Sequence, residues 1–401
     1  MPARTHTVRR YDLDWLRIIA FAILIFYHIG MFYVSWDWHV KSVHAGSEAE
    51  GLMMLVNPWR LSLLFLISGV ALRFALDKTG PLRQARERTV RLGLPILFGV
   101  AVIVAPQSWL QLLESGEVHE GFFAFWPDYI DPGSDFSIIT PTWNHLWYVV
   151  YLLVYTLILA VMGPMLSAWA RGPGERVLEA VFDGPWGVPA LLVLPVLPHL
   201  LYRAVLDPVF PTTHALIDDW ANHAHSFTIL LTGFLFAKSP AVWRAVARGW
   251  PWALGLAVGL GAGLSVIWAN WDIWMAQDGA LIKYIWPARL TRVWYAWLVI
   301  AAILGMGQRW LNRPSRTLTY MTEAIFPWYI LHQTLTVMAG YWLTRQGLGV
   351  WSEFVGVTLA TVGGCLLLHE LVIRRVFWLR PFFGLKPKAA RTSGIPVLST
   401  P

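Results

Sequence analysis

Apolar residues in this chain do not alternate with polar ones. They run in blocks of about 20, the length a helix needs to cross a lipid bilayer. Ten blocks are legible, at 12–34, 52–77, 92–113, 143–167, 187–206, 220–237, 251–271, 281–306, 320–344 and 351–373. Clusters rich in charge, glycine and proline separate them, such as "DKTGPLRQARER", "ARGPGER" and "LNRPSR", and such clusters punctuate helices. The pattern predicts an all-α, polytopic integral membrane protein with about ten transmembrane helices. One membrane domain is expected over 12–373, after a short tail of 1–11 and before a basic tail of 374–401. The longest connections fall near 114–142 and 168–186, and the second has room for a short interfacial helix. No small-residue cleavage site follows the first apolar block, so that block reads as a retained helix and not as a signal peptide.

Composition agrees with this picture. Hydrophobic residues make up 56% of the 401 residues and charged ones only 14%, against about 25% charged in a soluble domain. The net charge of +7 is explained by where the charge sits. Most of the 31 Lys and Arg residues lie in the two tails and in every second turn, while the opposite loops hold only Lys41, Arg203, Lys283 and Arg345. The positive-inside rule then places both termini in the cytoplasm. It also accounts for the basic balance without nucleic acid as a partner. The single cysteine, Cys365, lies within an apolar block, which excludes a disulfide framework and a Cys-based metal site. The 25 tryptophans suit interfacial belts, although a cluster such as "VSWDWHV" also suits stacking on a sugar ring.

Ionisable groups inside the blocks are costly at membrane depth and mark function by default. Arg17 falls in the inner third of the first helix. His28 lies about 16 Å further along, in its outer half. Eleven residues are close to three helical turns, so the two share one face. Asp14 and Arg17, three apart, also share a face and are placed to neutralise each other. Arg60, His145, His223, His225, Arg289, Arg292 and His332 all fall toward the outer side, which implies a hydrophilic cavity open outward. For Arg60, His145, His223 and His225 a solvated or snorkelling role competes evenly with a site role. His199 reads as structural, and His369 with Glu370 as an interfacial pair. On the inner side Arg88 and Arg91 share a helix face, a spacing suited to bidentate phosphate binding, although ordinary anchoring accounts for any single arginine.

Fingerprints of the usual soluble enzymes are absent: no GxSxG, HExxH, P-loop or dinucleotide motif is present. What remains is a histidine in a partly desolvated cavity with cations around it. Neutral imidazole is an effective general base toward a hydroxyl, and guanidinium groups stabilise an oxyanion. This set suits acyl transfer from a thioester to an alcohol. The rival reading is a proton-coupled transporter or exporter of a glycan or organic anion, which would also need buried His and Arg. No pair of matching broken helices supports it.

Six elements together resemble the membrane acyltransferase 3 family, and within it the glucan-biosynthesis branch. They are Asp14, Arg17 and His28 in the first helix, Trp38-His39-Val40, Ser68-Gly69, Arg88 and Arg91 before the third block, His145 and Trp147 in "HLWYVVYLL", and Tyr329 with His332 in "FPWYILHQ". The motifs occur in order over residues 10 to 375. One departure is that Gln333 and Thr334 follow His332 where a second histidine or a proline is common.

The resemblance implies an acyltransferase for groups other than aminoacyl groups, in the bacterial inner membrane. It would move acetyl or succinyl from cytoplasmic acyl-CoA to a hydroxyl of an extracytoplasmic glycan, in this branch a periplasmic glucan. His28, Arg17, His332 and Tyr329 are the expected catalytic residues. Arg88 and Arg91 are expected to hold the CoA phosphates. Trp38, His39, His145, Trp147, Arg289 and Arg292 are expected to contact substrate. Acyl-CoA would be a co-substrate, with no permanently bound cofactor and no metal. The expected partners are the lipid bilayer, the glycan acceptor and, since no esterase-like domain is fused, a separate periplasmic protein.

Overall fold

The computed structural model describes residues 9–271, 273 and 284–386. Residues 281–283 of the eighth predicted block, Lys283 among them, and 387–401 of the tail lie outside the described residues. Each of the ten predicted blocks coincides with a helix. They are α1 (Tyr11–Tyr33) and α2 (Glu50–Thr79), then α3 (Pro81–Phe98), which runs through a π-helical turn (Gly99–Val104) into α4 (Ala105–Glu114). A short α5 (Phe122–Ile130) precedes α6 (Trp147–Arg171). The connection with room for a short helix holds one, α7 (Pro173–Phe182), and α8 (Gly187–Val193) and α9 (Leu197–Val205) form one broken span. Then follow α10 (Trp220–Phe236), α11 (Pro240–Ala269), α12 (Ile285–Trp310), α13 (Arg316–Leu343) and α14 (Val350–Leu367), which ends in a second π turn (Leu368–Ile373).

Eight of these segments are long and apolar enough to cross a membrane. The other two are α10, which has 17 residues, and α13, which carries the polar run His332-Gln333-Thr334 on a buried face. Ser239 and Ser315 start α11 and α13 by accepting the backbone N–H of Val242 and Leu318, the usual way to satisfy an orphan donor at a helix start.

The third span differs from the sequence expectation. Its helix begins at Pro81 and not at 92, because the basic segment 81–91 extends it as an amphipathic turn that hydropathy cannot detect. The π turn in its middle is held open by side chains. Tyr129 and Trp126 of α5 donate to the carbonyls of Val100 and Ala101 at 2.8 Å each, and Thr334 of α13 donates to that of Ile103 at 2.5 Å. Pro106, which has no N–H, follows just after the turn.

α1 is central and packs on α2, α12 and α13. α2 and α10 approach to backbone contact. A Cβ at Gly69 would lie 1.9 Å from the Leu230 carbonyl oxygen, and one at Gly233 would lie 2.0 Å from that of Leu66. Near the C-terminal end of α2, Asp77 gathers Arg73, Arg171 and Lys238 within 3.3 Å and so ties three elements together. After α14 the chain folds back, where Phe382 and Phe383 pack on Phe98 and Arg91 donates to the Gly384 carbonyl at 3.2 Å. Glu370 pairs with Arg374 at 3.0 Å and not with His369, whose two ring nitrogens are buried without a hydrogen-bond partner among the described residues. The expected His369–Glu370 pair is therefore not formed.

Candidate active site

Two residues distant in sequence meet on α1 and α13. His28 Nδ1 lies 2.7 Å from His332 Nε2, with the rings stacked at 6°. His332 Nδ1 lies 2.6 Å from the Tyr329 carbonyl oxygen. A carbonyl only accepts, so His332 Nδ1 carries its hydrogen and its Nε2 is a lone pair. His28 must then donate from Nδ1, which leaves Nε2 of His28 as the basic atom. That atom has no hydrogen-bond partner among the described residues, and His28 lines a cavity of about 640 Å³. The chain of bonds fixes the tautomer and the ring orientation of His28, as a general base would require. Helical geometry builds it, since Tyr329 and His332 are one turn apart on α13.

The third imidazole, His145, stands perpendicular to both others, with centroids 5.2 Å from His332 and 6.4 Å from His28. Its Nε2 donates to the Ile330 carbonyl at 3.1 Å, and its Nδ1 faces Gln107 Nε2 at 3.5 Å. Tyr329 lines the cavity, but its hydroxyl donates to the His145 carbonyl at 2.5 Å. Tyr329 therefore positions, through its carbonyl and its ring, and its hydroxyl is engaged in holding α6 to α13.

The loop after α1 supplies the next wall. Lys41 donates to the Met31 and Trp36 carbonyls at 2.6 and 2.9 Å, and Ser42 donates to the buried Glu353 at 2.5 Å. Thus pinned, the loop places Trp38 and His39 on the cavity. His39 Nδ1 donates to Gln111 at 2.6 Å and its Nε2 accepts from Gln333 at 3.0 Å, while Gln333 also reaches Gln107 at 3.0 Å. Burial pushes the His39 pKa below the ordinary histidine value, against the opposing bond to Gln111. The departure at Gln333 is thus an amide that bridges two walls of the site. Trp147 lines the same cavity and stacks near His214, at 4.3 Å between centroids. The buried Asp219 holds the backbone of Thr213 and His214 at 3.0 and 3.1 Å.

Arg60 also lines this cavity, with its guanidinium 3.5 Å from the Tyr27 ring centre and held by Asn57. A buried cation beside His28 favours negative charge developing there. The sequence allows Arg60 a site or an interfacial position, and the fold sets it on the cavity. Arg289 and Arg292 are not in this cavity but line two adjacent ones.

Arg17, Arg88 and Arg91 lie elsewhere, near the other end of the bundle. The nearest Arg17 nitrogen is 3.5 Å from Asp14, which Arg9 also holds at 2.8 Å. Arg88 is within electrostatic reach of both Arg91 and Arg17. Tyr148 of α6 lines the cavity and bonds Ser68 at 2.9 Å. Tyr148 and Gln333 line the cavity, and Gln107 braces Gln333 and Asn144 behind it; the sequence does not mark them, since each is uncharged and only the fold brings them together.

A buried imidazole relay facing a polar cavity, inside a bundle of apolar helices, is the equipment of a group-transfer enzyme that works within a membrane. Residues 10–370 match the acyltransferase domain family, Acyl_transf_3, and the chain belongs to it. It is similar to the Glucans biosynthesis protein C of Escherichia coli O1:K1 / APEC and of Escherichia coli strain K12. Each is 23% identical over 402 residues, covering 96% of this chain and 96% of the relative. No solved structure matches the chain.

Proposed function

We propose that this acyltransferase is a ten-span inner-membrane enzyme with both termini in the cytoplasm. It moves acetyl or succinyl from cytoplasmic acyl-CoA to a hydroxyl of an extracytoplasmic glycan, and the relatives' name points to a periplasmic glucan. The observation that carries the reading is the His28–His332–Tyr329 carbonyl chain at 2.7 and 2.6 Å, which ends in a free Nε2 on the cavity. In the reaction the acceptor oxygen attacks the thioester carbonyl carbon while His28 Nε2 takes its proton. Arg60 favours the oxyanion, and the proton passes to the CoA sulfur as that bond breaks. Arg88 and Arg91 hold the CoA phosphates at the inner face. Arg17 and Tyr148 would line the path of the thioester from that face to the cavity. The test is purified protein with labelled acyl-CoA and a gluco-oligosaccharide. Label transfer that is lost in a well-folded His28→Ala variant supports the reading, and transfer at the normal rate by that variant sinks it.

A further inference from the structure

The cavity at His28 is one of three that adjoin. It shares Ser62, Asn222 and His225 with a second chamber of about 260 Å³. The second shares Arg203, Arg289 and Arg292 with a third of about 760 Å³, whose walls include Trp36 and Trp268. The middle chamber has a particular hydrogen-bonding character. Asp207 accepts from Arg203 at 2.5 Å and from His225 Nε2 at 3.2 Å. His225 Nδ1 is then a lone pair, so His199 Nδ1, 3.0 Å away, donates to it. That leaves His199 Nε2 as a bare acceptor, buried and without a partner among the described residues. In the same chamber Arg292 Nε is a bare donor, also buried and without a partner among the described residues.

One unmet acceptor and one unmet donor match a hydroxyl, which both gives and takes a hydrogen bond. A phosphate or carboxylate would satisfy only the arginine and would meet Asp207 as a like charge. The third chamber adds tryptophan faces to Glu48, Arg289 and Ser265, a wall of flat rings and mixed polar groups that suits a pyranose better than an acyl chain. We propose that the second and third chambers are subsites for the sugar residues next to the one acylated, so that the acceptor is an oligosaccharide read over several residues. The inference rests on the acyltransferase reading above and adds an acceptor path to it. His199, Arg292 and Trp268 are its specificity-determining residues.

The experiment measures KM for acyl transfer by the full-length protein with glucose and with gluco-oligosaccharides of increasing length. Calorimetric titration of the same sugars without acyl-CoA runs alongside. KM is expected to fall with length, by about tenfold for each charge-assisted hydrogen bond gained. Arg292→Gln, His199→Phe and Trp268→Ala should each flatten that dependence, while Trp186→Ala, at an exposed tryptophan outside all three chambers, keeps it. A flat KM in the wild type, or variants that raise KM equally for glucose and the longer sugars, overturns the proposal. So does displacement of the sugars by phosphatidylglycerol, which would assign the chambers to a lipid headgroup. If no transfer is detected, the acyltransferase reading fails and the titration still decides: length-dependent binding lost in Arg292→Gln supports the subsites, and absence of binding overturns them.

Discussion

His332 and Tyr329 were expected to act together, yet their side chains face different tasks. His332 Nε2 accepts from His28, so its loss frees the base to rotate. His332→Ala is expected to lower kcat by about 10²-fold or more with little change in the KM for acyl-CoA, read by steady-state kinetics. The Tyr329 hydroxyl donates to the His145 carbonyl, so Tyr329→Phe leaves a buried acceptor unpaired. It is expected to cost about 1–3 kcal/mol of stability, read as a lowered Tm, with kcat changed far less. His39 carries a pH dependence. It is buried neutral, so its folded pKa lies below the ordinary value, and its contacts Gln111 and Gln333 are uncharged. Below about pH 6.5 the unfolded chain binds a proton that the folded site refuses. Stability should then fall by up to about 1.4 kcal/mol per pH unit until the folded pKa is reached. His39→Gln should lessen that slope when Tm is followed against pH. At this scale the sequence showed the stripe of Arg17 and His28, because helix periodicity alone places them on one face. It could not show that His39 would meet Gln111 and Gln333, since neutral amides leave no charge signal and the contact joins three separate segments.

Between helices, the Ser68-Gly69 element acquires two separate reasons. Ser68 bonds Tyr148 at the cavity floor, and Gly69 lets α2 touch α10. Close backbone approach through small residues is a common way for helices to associate in lipid, where apolar burial gives no drive. Gly69→Ala should therefore force α2 and α10 apart, with a sharp loss of monodisperse protein on size-exclusion chromatography. Gly51→Ala, where an added Cβ meets nothing within 4 Å, is expected to leave the profile unchanged. The helices themselves were legible as apolar blocks because lipid demands continuous runs. The start of α3 was not, since segment 81–91 is helical and charged, and neither was the π turn, which depends on Tyr129, Trp126 and Thr334 arriving from other elements.

For the molecule as a whole, the proposed reaction has a direction only if the arginine cluster and the histidine cavity face opposite sides of the membrane. The fold separates them: Arg91 bonds the Gly384 carbonyl in the segment after α14, whereas His28, Trp38 and His39 line the cavity by the loop after α1. The distribution of Lys and Arg says which side is which, and labelling can check it. Cys365 is fully buried, so the wild type provides a quiet background. Val43 and Ile139 are exposed on the loops predicted to face outward, and Leu82 and Val177 on those predicted to face inward, with exposures of 72%, 83%, 86% and 52%. Val43→Cys and Ile139→Cys should react with a membrane-impermeant maleimide in intact spheroplasts. Leu82→Cys and Val177→Cys should react only after lysis, because the positive-inside rule predicts that their turns face the cytoplasm. The reverse pattern would put the arginines outside, where acyl-CoA is not made. The cavity would then open to the cytoplasm, and the transmembrane direction of transfer would be lost even with every distance at His28 unchanged.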